Sequence, residues 1–214
     1  MNSFLFKNIA NIVSILGVVP LALLYLDNGY QYLLPLIVFN NIMDDLDGIL
    51  ATKLNIRSRF GADLDNVCDA VAHVAITLAL GVHFSGVVLV ASVIASATII
   101  LRATSRLNPS TPTGGSPTNE LMRHILFVLI LSNVFTFNPE YILVVVLILN
   151  TISMSSSKKM TAMLRSQAKT ASLVTLVNIS LILSLLLPIL SPYIAFIFFM
   201  TYLYAFLNIL NLNN

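Results

Sequence analysis

Residues 40–70 read NNIMDDLDGILATKLNIRSRFGADLDNVCDA, and this stretch decides how the rest of the chain is read. It holds six of the nine acidic residues, yet it runs into long apolar segments at both ends. Asp44 and Asp47 are three residues apart, and Asp65 and Asp69 are four apart. On an α-helix either spacing puts the pair on one face. Asp45 stands ~100° round from Asp44, and Asp63 ~200° round from Asp65, so neither need share that face. Each of those two reads as an ordinary helix-end acid, a cap or a solvated group. Four carboxylates converging beside an apolar layer repel one another unless a cation joins them. Oxygen-only donors suit hard ions such as Mg²⁺, Mn²⁺ or Ca²⁺. Gly48, Ala51 and Gly61 lie among the acids and leave room for a ligand to approach the backbone.

The apolar character extends over the whole chain. Of 214 residues, 57% are hydrophobic and 9% charged, against about 25% charged in a soluble domain. The mean hydropathy is +0.92. A spanning helix needs ~20 mostly apolar residues. Eight segments qualify, at 4–27, 30–53, 60–83, 85–107, 118–136, 139–156, 168–188 and 191–211. The expectation is an all-α, polytopic transmembrane bundle of about eight spanning helices, forming one membrane domain over 1–214. The first segment is too long for a signal peptide and has no clean small-residue cleavage site, so it reads as a span. Turns fall at DNG (27–29), HFSG (83–86), FNPE (137–140) and SP (191–192), and NPSTPTGGSP (108–117) is the extended loop.

Charge orients these segments. Cytoplasmic loops carry excess Lys and Arg. With eight helices and both termini cytoplasmic, all eleven basic residues fall on the cytoplasmic side. These are Lys7, the group Lys53, Arg57 and Arg59, the group Arg102, Arg106 and Arg123, and the group Lys158, Lys159, Arg165 and Lys169. The opposite turns carry only Asp27 and Glu140. A seven-helix arrangement, with 118–156 partly re-entrant, would divide the basic groups between the two faces. A net charge of +2 gives no footprint for nucleic acid, and none is expected as a partner. Three His and one Cys exclude a disulfide framework and argue against a zinc site.

Written as a pattern, the stretch is Asp44-x-x-Asp47-Gly48-x-x-Ala51, then Gly61-x-x-x-Asp65-x-x-x-Asp69. This closely resembles the signature of the CDP-alcohol phosphatidyltransferases, D-x-x-D-G-x-x-A-R followed after eight or nine residues by G-x-x-x-D-x-x-x-D. Seven of the eight fixed positions match, and eight residues separate Thr52 from Gly61. Asn11, Ser14 and Pro20 are similar to the family's P-N-x-x-T…P segment, with Ala10 in place of its first proline. The resemblance implies an enzyme of phospholipid biosynthesis in the cytoplasmic membrane, its site facing the cytoplasm. It would transfer a phosphatidyl group from a CDP-lipid to a small polar alcohol and release CMP, surrounded by membrane lipid and paired as a homodimer. Asp44, Asp47, Asp65 and Asp69 would hold two divalent cations, Mg²⁺ or Mn²⁺, and Asp69 would also take the acceptor's proton. Asn11, Asp47, Gly48, Ala51, Thr52 and Gly61 would face the nucleotide. One position departs from the pattern. The family's Arg after Ala51, which lies near the nucleotide phosphates, is Thr52 here, and Lys53, Arg57 and Arg59 are the nearby cations that can stand in.

The acceptor is read from weaker likenesses. FGADLD (60–65), LRATSRLN (101–108), GSP (115–117) and SSSKK (155–159) are similar to segments of the phosphatidylserine synthase branch, which makes L-serine the leading acceptor. AVAHVAI (70–76) departs from that branch, which leaves inositol, inositol phosphate or glycerol phosphate as alternatives. Arg102, Arg106 and Lys159 are candidates to bind the acceptor or a lipid phosphate, and Arg123 is a further one. The plain alternative is that these residues anchor helices to anionic headgroups. His73, four residues after Asp69, reads as a packed helix residue. Two rival classes of function stand beside the enzyme. A cation transporter would spread its carboxylates along a path across the membrane, often with inverted repeats. A lipid- or nucleotide-binding protein without chemistry is the other, and Thr52 favours it.

Overall fold

The computed structural model describes residues 3–108, 117–156 and 170–211. Among them every regular element is helical. The α-helices are α1 (Ser3–Val18), α2 (Leu33–Lys53), α3 (Arg59–Phe84), α4 (Gly86–Leu107), α5 (Pro117–Phe135), α6 (Glu140–Ser155), α7 (Ala171–Leu186) and α8 (Ser191–Asn211). They fall on the eight apolar segments read from the sequence. The first two differ in their ends. The α-helical part of the first segment stops at Val18, and a 3₁₀ stretch, Val19–Tyr25, continues it. Pro20 explains the change, since it lacks an N–H and its ring crowds the preceding turn. A second 3₁₀ stretch, Gly29–Tyr32, leads into α2. Between them Asn28 takes a left-handed φ of 59°. At Gly29 a Cβ would overlap the carbonyls of Leu23 and Leu24, so only glycine lets the chain reverse there.

Among the described residues, four stretches are long and apolar enough to cross a membrane: Leu5–Tyr25, Arg59–Phe84, Gly86–Leu107 and Pro188–Asn208. The helices α6 and α7 are apolar and shorter. α2 has the length of a span, but Asp44, Asp45 and Asp47 interrupt its apolar run. The exterior carries exposed Val82, Val87, Tyr141, Tyr193 and Phe196. α5 lies at the centre. Its residues from Pro117 to Ile130 are all buried, polar and apolar alike. A helix buried round its whole circumference is surrounded by others, and α2, α3, α6, α7 and α8 all pack on α5. α3 lies along α4, and α1 lies against both α2 and α3. That last arrangement brings α1 over the acidic ends of α2 and α3.

Candidate active site

The turn between α2 and α3 sets the geometry. α2 ends in a Schellman turn. Asn55 takes φ 54°, Asn55 N–H donates to the Thr52 carbonyl at 3.2 Å, and Ile56 N–H donates to the Ala51 carbonyl at 3.0 Å. Ser58 then caps α3 by accepting from Gly61 N–H at 3.0 Å. The chain reverses within residues 54–58, so the last turns of α2 stand beside the first turns of α3.

Asp44, Asp47 and Asp65 meet there, one carboxylate oxygen from each lying within 4.8 Å of the others. Neutral donors from two other helices orient them. Ser14 Oγ of α1 donates to Asp47 Oδ2, and Asn119 Nδ2 of α5 donates to Asp44 Oδ2 at 2.8 Å. Such donors aim carboxylates without cancelling their charge, as partners behind metal ligands do. Three hard oxygen ligands this close suit a divalent cation, so the trio could hold one.

A cleft of ≈ 250 Å³ opens on Asp47 and Asp65. This is just below the ~300–1,000 Å³ common for small-molecule sites. α1 contributes Lys7, Asn11 and Ser14, α2 contributes Gly48 and Ala51, and the turn with α3 contributes Arg57, Ser58 and Gly61. No atom lies within 4 Å of where a Gly48 Cβ would stand, so any side chain there would intrude into open space. A Cβ at Gly61 would come within 3.0 Å of Asn11 Oδ1, so the glycine lets Asn11 lie against α3. Four of the positions expected to face the nucleotide, Asn11, Gly48, Ala51 and Gly61, thus share one wall system with Asp47.

Asp69 lies one helical turn beyond Asp65 and outside the trio. It lines a separate narrow crevice with Asn66, Arg102 and Arg106. Arg102 is buried and donates from Nη1 to the Ser156 carbonyl at 3.2 Å. The positive charge of Arg106 acts on both Asp65 and Asp69. Asn66 Nδ2 donates to the Ala103 carbonyl at 2.9 Å, which fixes α3 against α4 at this level. Lys159 lies outside the described residues.

Other sequence readings change. Thr52 is exposed and does not line the cleft. Instead its hydroxyl holds Arg57 from Nε at 3.1 Å and from Nη2 at 2.7 Å. Arg59 faces the half-exposed Asp63 at 3.7 Å. Asp45 is neither a cap nor solvated. It is buried and accepts from Asn178 Nδ2 at 2.8 Å. Arg123 does not reach headgroups or the crevice. It is 1% exposed and pairs with Glu120 at 2.7 Å, while Nη2 donates to Asn41 Oδ1 at 2.9 Å. The i,i+3 spacing of Glu120 and Arg123 is the sequence signal for that pair. His73 is packed in the interior. Lys7 was not singled out in the sequence, because only the lie of α1 over α2 and α3 brings it to the cleft.

The sequence pattern of CDP-alcohol phosphatidyltransferases matches residues 7–154. That span contains both helices of the acidic site, most of α1, and the crevice. A protein of Aquifex aeolicus (strain VF5) described as uncharacterized is 34% identical over 79 residues. The match covers 35% of this chain and 40% of that relative, so the chain spans about two-fifths of its length.

Proposed function

The chain belongs to the CDP-alcohol phosphatidyltransferase family, and we propose that it transfers a phosphatidyl group from a CDP-diacylglycerol-type lipid to a small polar alcohol, releasing CMP. Four stretches among the described residues that are long and apolar enough to cross a membrane, in a family of membrane enzymes, support an integral membrane protein. The observation that carries the reading is the meeting of Asp44, Asp47 and Asp65 within 4.8 Å beside a cleft walled by Gly48, Ala51 and Gly61.

Asp44, Asp47, Asp65 and Asp69 are assigned to two divalent cations, Mg²⁺ or Mn²⁺. Held there, such cations would supply positive charge to the diphosphate and to the leaving CMP. Asn11, Asp47, Gly48, Ala51 and Gly61 seat the nucleotide, with Thr52 outside the cleft, where it holds Arg57. Asp69 takes the proton of the acceptor hydroxyl. The freed oxygen bonds to the lipid-bearing phosphorus, and the bond from that phosphorus to the CMP oxygen breaks. A base in this role contributes ~10²–10⁴-fold. Arg102 and Arg106 share the crevice with Asp69 and are assigned to the anionic part of the acceptor or to a lipid phosphate, with Lys159 as a third candidate. A guanidinium matches a carboxylate or a phosphate equally well, so these residues suit serine and a phosphorylated alcohol alike. L-Serine is the leading acceptor from the branch-like segments at 60–65 and 101–108. The one-sided Lys and Arg distribution supports eight spans, cytoplasmic termini and a site on the cytoplasmic face. Pairing as a homodimer rests on the family resemblance.

The test is to incubate the purified protein with CDP-diacylglycerol, Mg²⁺ or Mn²⁺, and separately L-serine, inositol, inositol phosphate or glycerol phosphate. Alcohol-dependent CMP release with one acceptor supports the reading. No release with any alcohol sinks it.

A further inference from the structure

The cleft carries two cations, Lys7 and Arg57, on the same walls as the acids Asp47 and Asp65. Of the two, Arg57 is the one held in place. The Schellman turn at Asn55 carries the chain back over the last turn of α2 and leaves Arg57 above Thr52. A threonine hydroxyl has one proton to donate and two lone pairs to accept with. At Thr52 all three are used: Oγ1 donates to the Gly48 carbonyl at 2.7 Å and accepts from Arg57 Nε and Nη2. Arg57 is thereby tied, through one hydroxyl, to the backbone of a cleft residue. The two bonds use two of its five N–H groups, which leaves Nη1 for a ligand in the cleft. Arg59 ends on Asp63 instead, and neither Arg59 nor Lys53 lines the cleft.

We propose that Arg57, positioned by the Thr52 hydroxyl, is the cation that binds the nucleotide's diphosphate in this cleft. The inference rests on the proposed CDP-lipid substrate. It makes position 52 a bracket for a guanidinium supplied by the following turn. A diphosphate bound near Asp47 and Asp65 meets metal-binding acids and a guanidinium in one cavity. The planar donors of Arg57 match phosphate oxygens better than the point charge of Lys7 does.

The experiment measures binding of labelled CDP-diacylglycerol to full-length protein in detergent with Mg²⁺, without an acceptor alcohol. One charge-assisted contact corresponds to roughly a tenfold change or more. Arg57→Ala and Arg57→Gln are each expected to raise Kd by about tenfold or more with the unfolding temperature unchanged. Thr52→Ala is expected to raise Kd by less, about threefold, because it loosens the guanidinium without removing it. Thr52→Arg in the Arg57→Ala background is expected to bring Kd back to within about threefold of wild type. Arg59→Ala is the control and stays within about twofold. Wild-type affinity in both Arg57 variants overturns the proposal, and so does a graft that folds but restores nothing. If the wild-type chain does not bind CDP-diacylglycerol at all, the substrate assignment fails first and takes this inference with it. Binding that depends on Arg57, without CMP release under any acceptor, leaves the inference standing and removes only the chemistry.

Discussion

Asp44 and Asp45 are neighbours in sequence, yet α2 turns them toward two different surroundings. On the front, Asp44 and Asp47 approach Asp65 closely enough to share an ion, and the site borders an open cleft. On the back, Asp45 is 2% exposed and sits among amides. Asn178 Nδ2 of α7 donates to it at 2.8 Å. Asn41 Nδ2 donates to Asn178 Oδ1 at 2.6 Å, and Asn41 Oδ1 accepts from Arg123, which pairs with Glu120. A buried charge must be paired or hydrogen-bonded. The back face meets that demand within the protein, while the front face gathers like charges at a cavity. A carboxylate placed for structure and one placed for a ligand differ here by one residue and about 100° of helix.

The two faces can be pulled apart by substitution. The largest effect is expected on the catalytic side, in the crevice one helical turn beyond the trio. Asp69→Asn should lower CMP release by ~10²–10⁴-fold while the unfolding temperature holds, as turnover and circular dichroism on one preparation will tell. Arg123→Met should act only on stability. Removing one member of a buried ion pair costs about 3–5 kcal/mol, read by denaturant titration. The surviving folded fraction should still show an Mn²⁺-induced rise in unfolding temperature. Asn178→Ala takes one donor from Asp45 and should cost about 1–3 kcal/mol, again with the Mn²⁺ response kept. Asp63→Asn is the smallest, because its contact with Arg59 is exposed and such pairs are worth at most about 1 kcal/mol. Loss of the Mn²⁺ response in Asn178→Ala would show that the faces are not separate.

These faces were unequally legible in the sequence. The spacing of Asp44 with Asp47 and of Asp65 with Asp69 needed only helical periodicity, and three of the four carboxylates do converge. The helices were legible because apolar runs of about 20 residues leave few alternatives. Pro20 marked a break that length and hydropathy alone passed over. The back face was hidden for a physical reason. Asn41, Arg123 and Asn178 lie on α2, α5 and α7, and only the packing of those helices makes them partners. A lone Asn in an apolar helix such as α7 does signal a polar contact inside the bundle, but it does not say with whom. Arg57 sat between the two, nameable as a nearby cation but not distinguishable from Lys53 or Arg59 until the turn at Asn55 was seen.

The most direct test of the central claim is CMP release from CDP-diacylglycerol, measured side by side for wild type, Asp47→Asn and Asp45→Asn. Each is assayed per mole of folded protein, with the acceptor found in the alcohol panel, in Mn²⁺ and again after chelation. The account predicts release by wild type and by Asp45→Asn in Mn²⁺, none by Asp47→Asn, and none by any of them after chelation. Release by Asp47→Asn at the wild-type rate, or release that survives chelation, would contradict it.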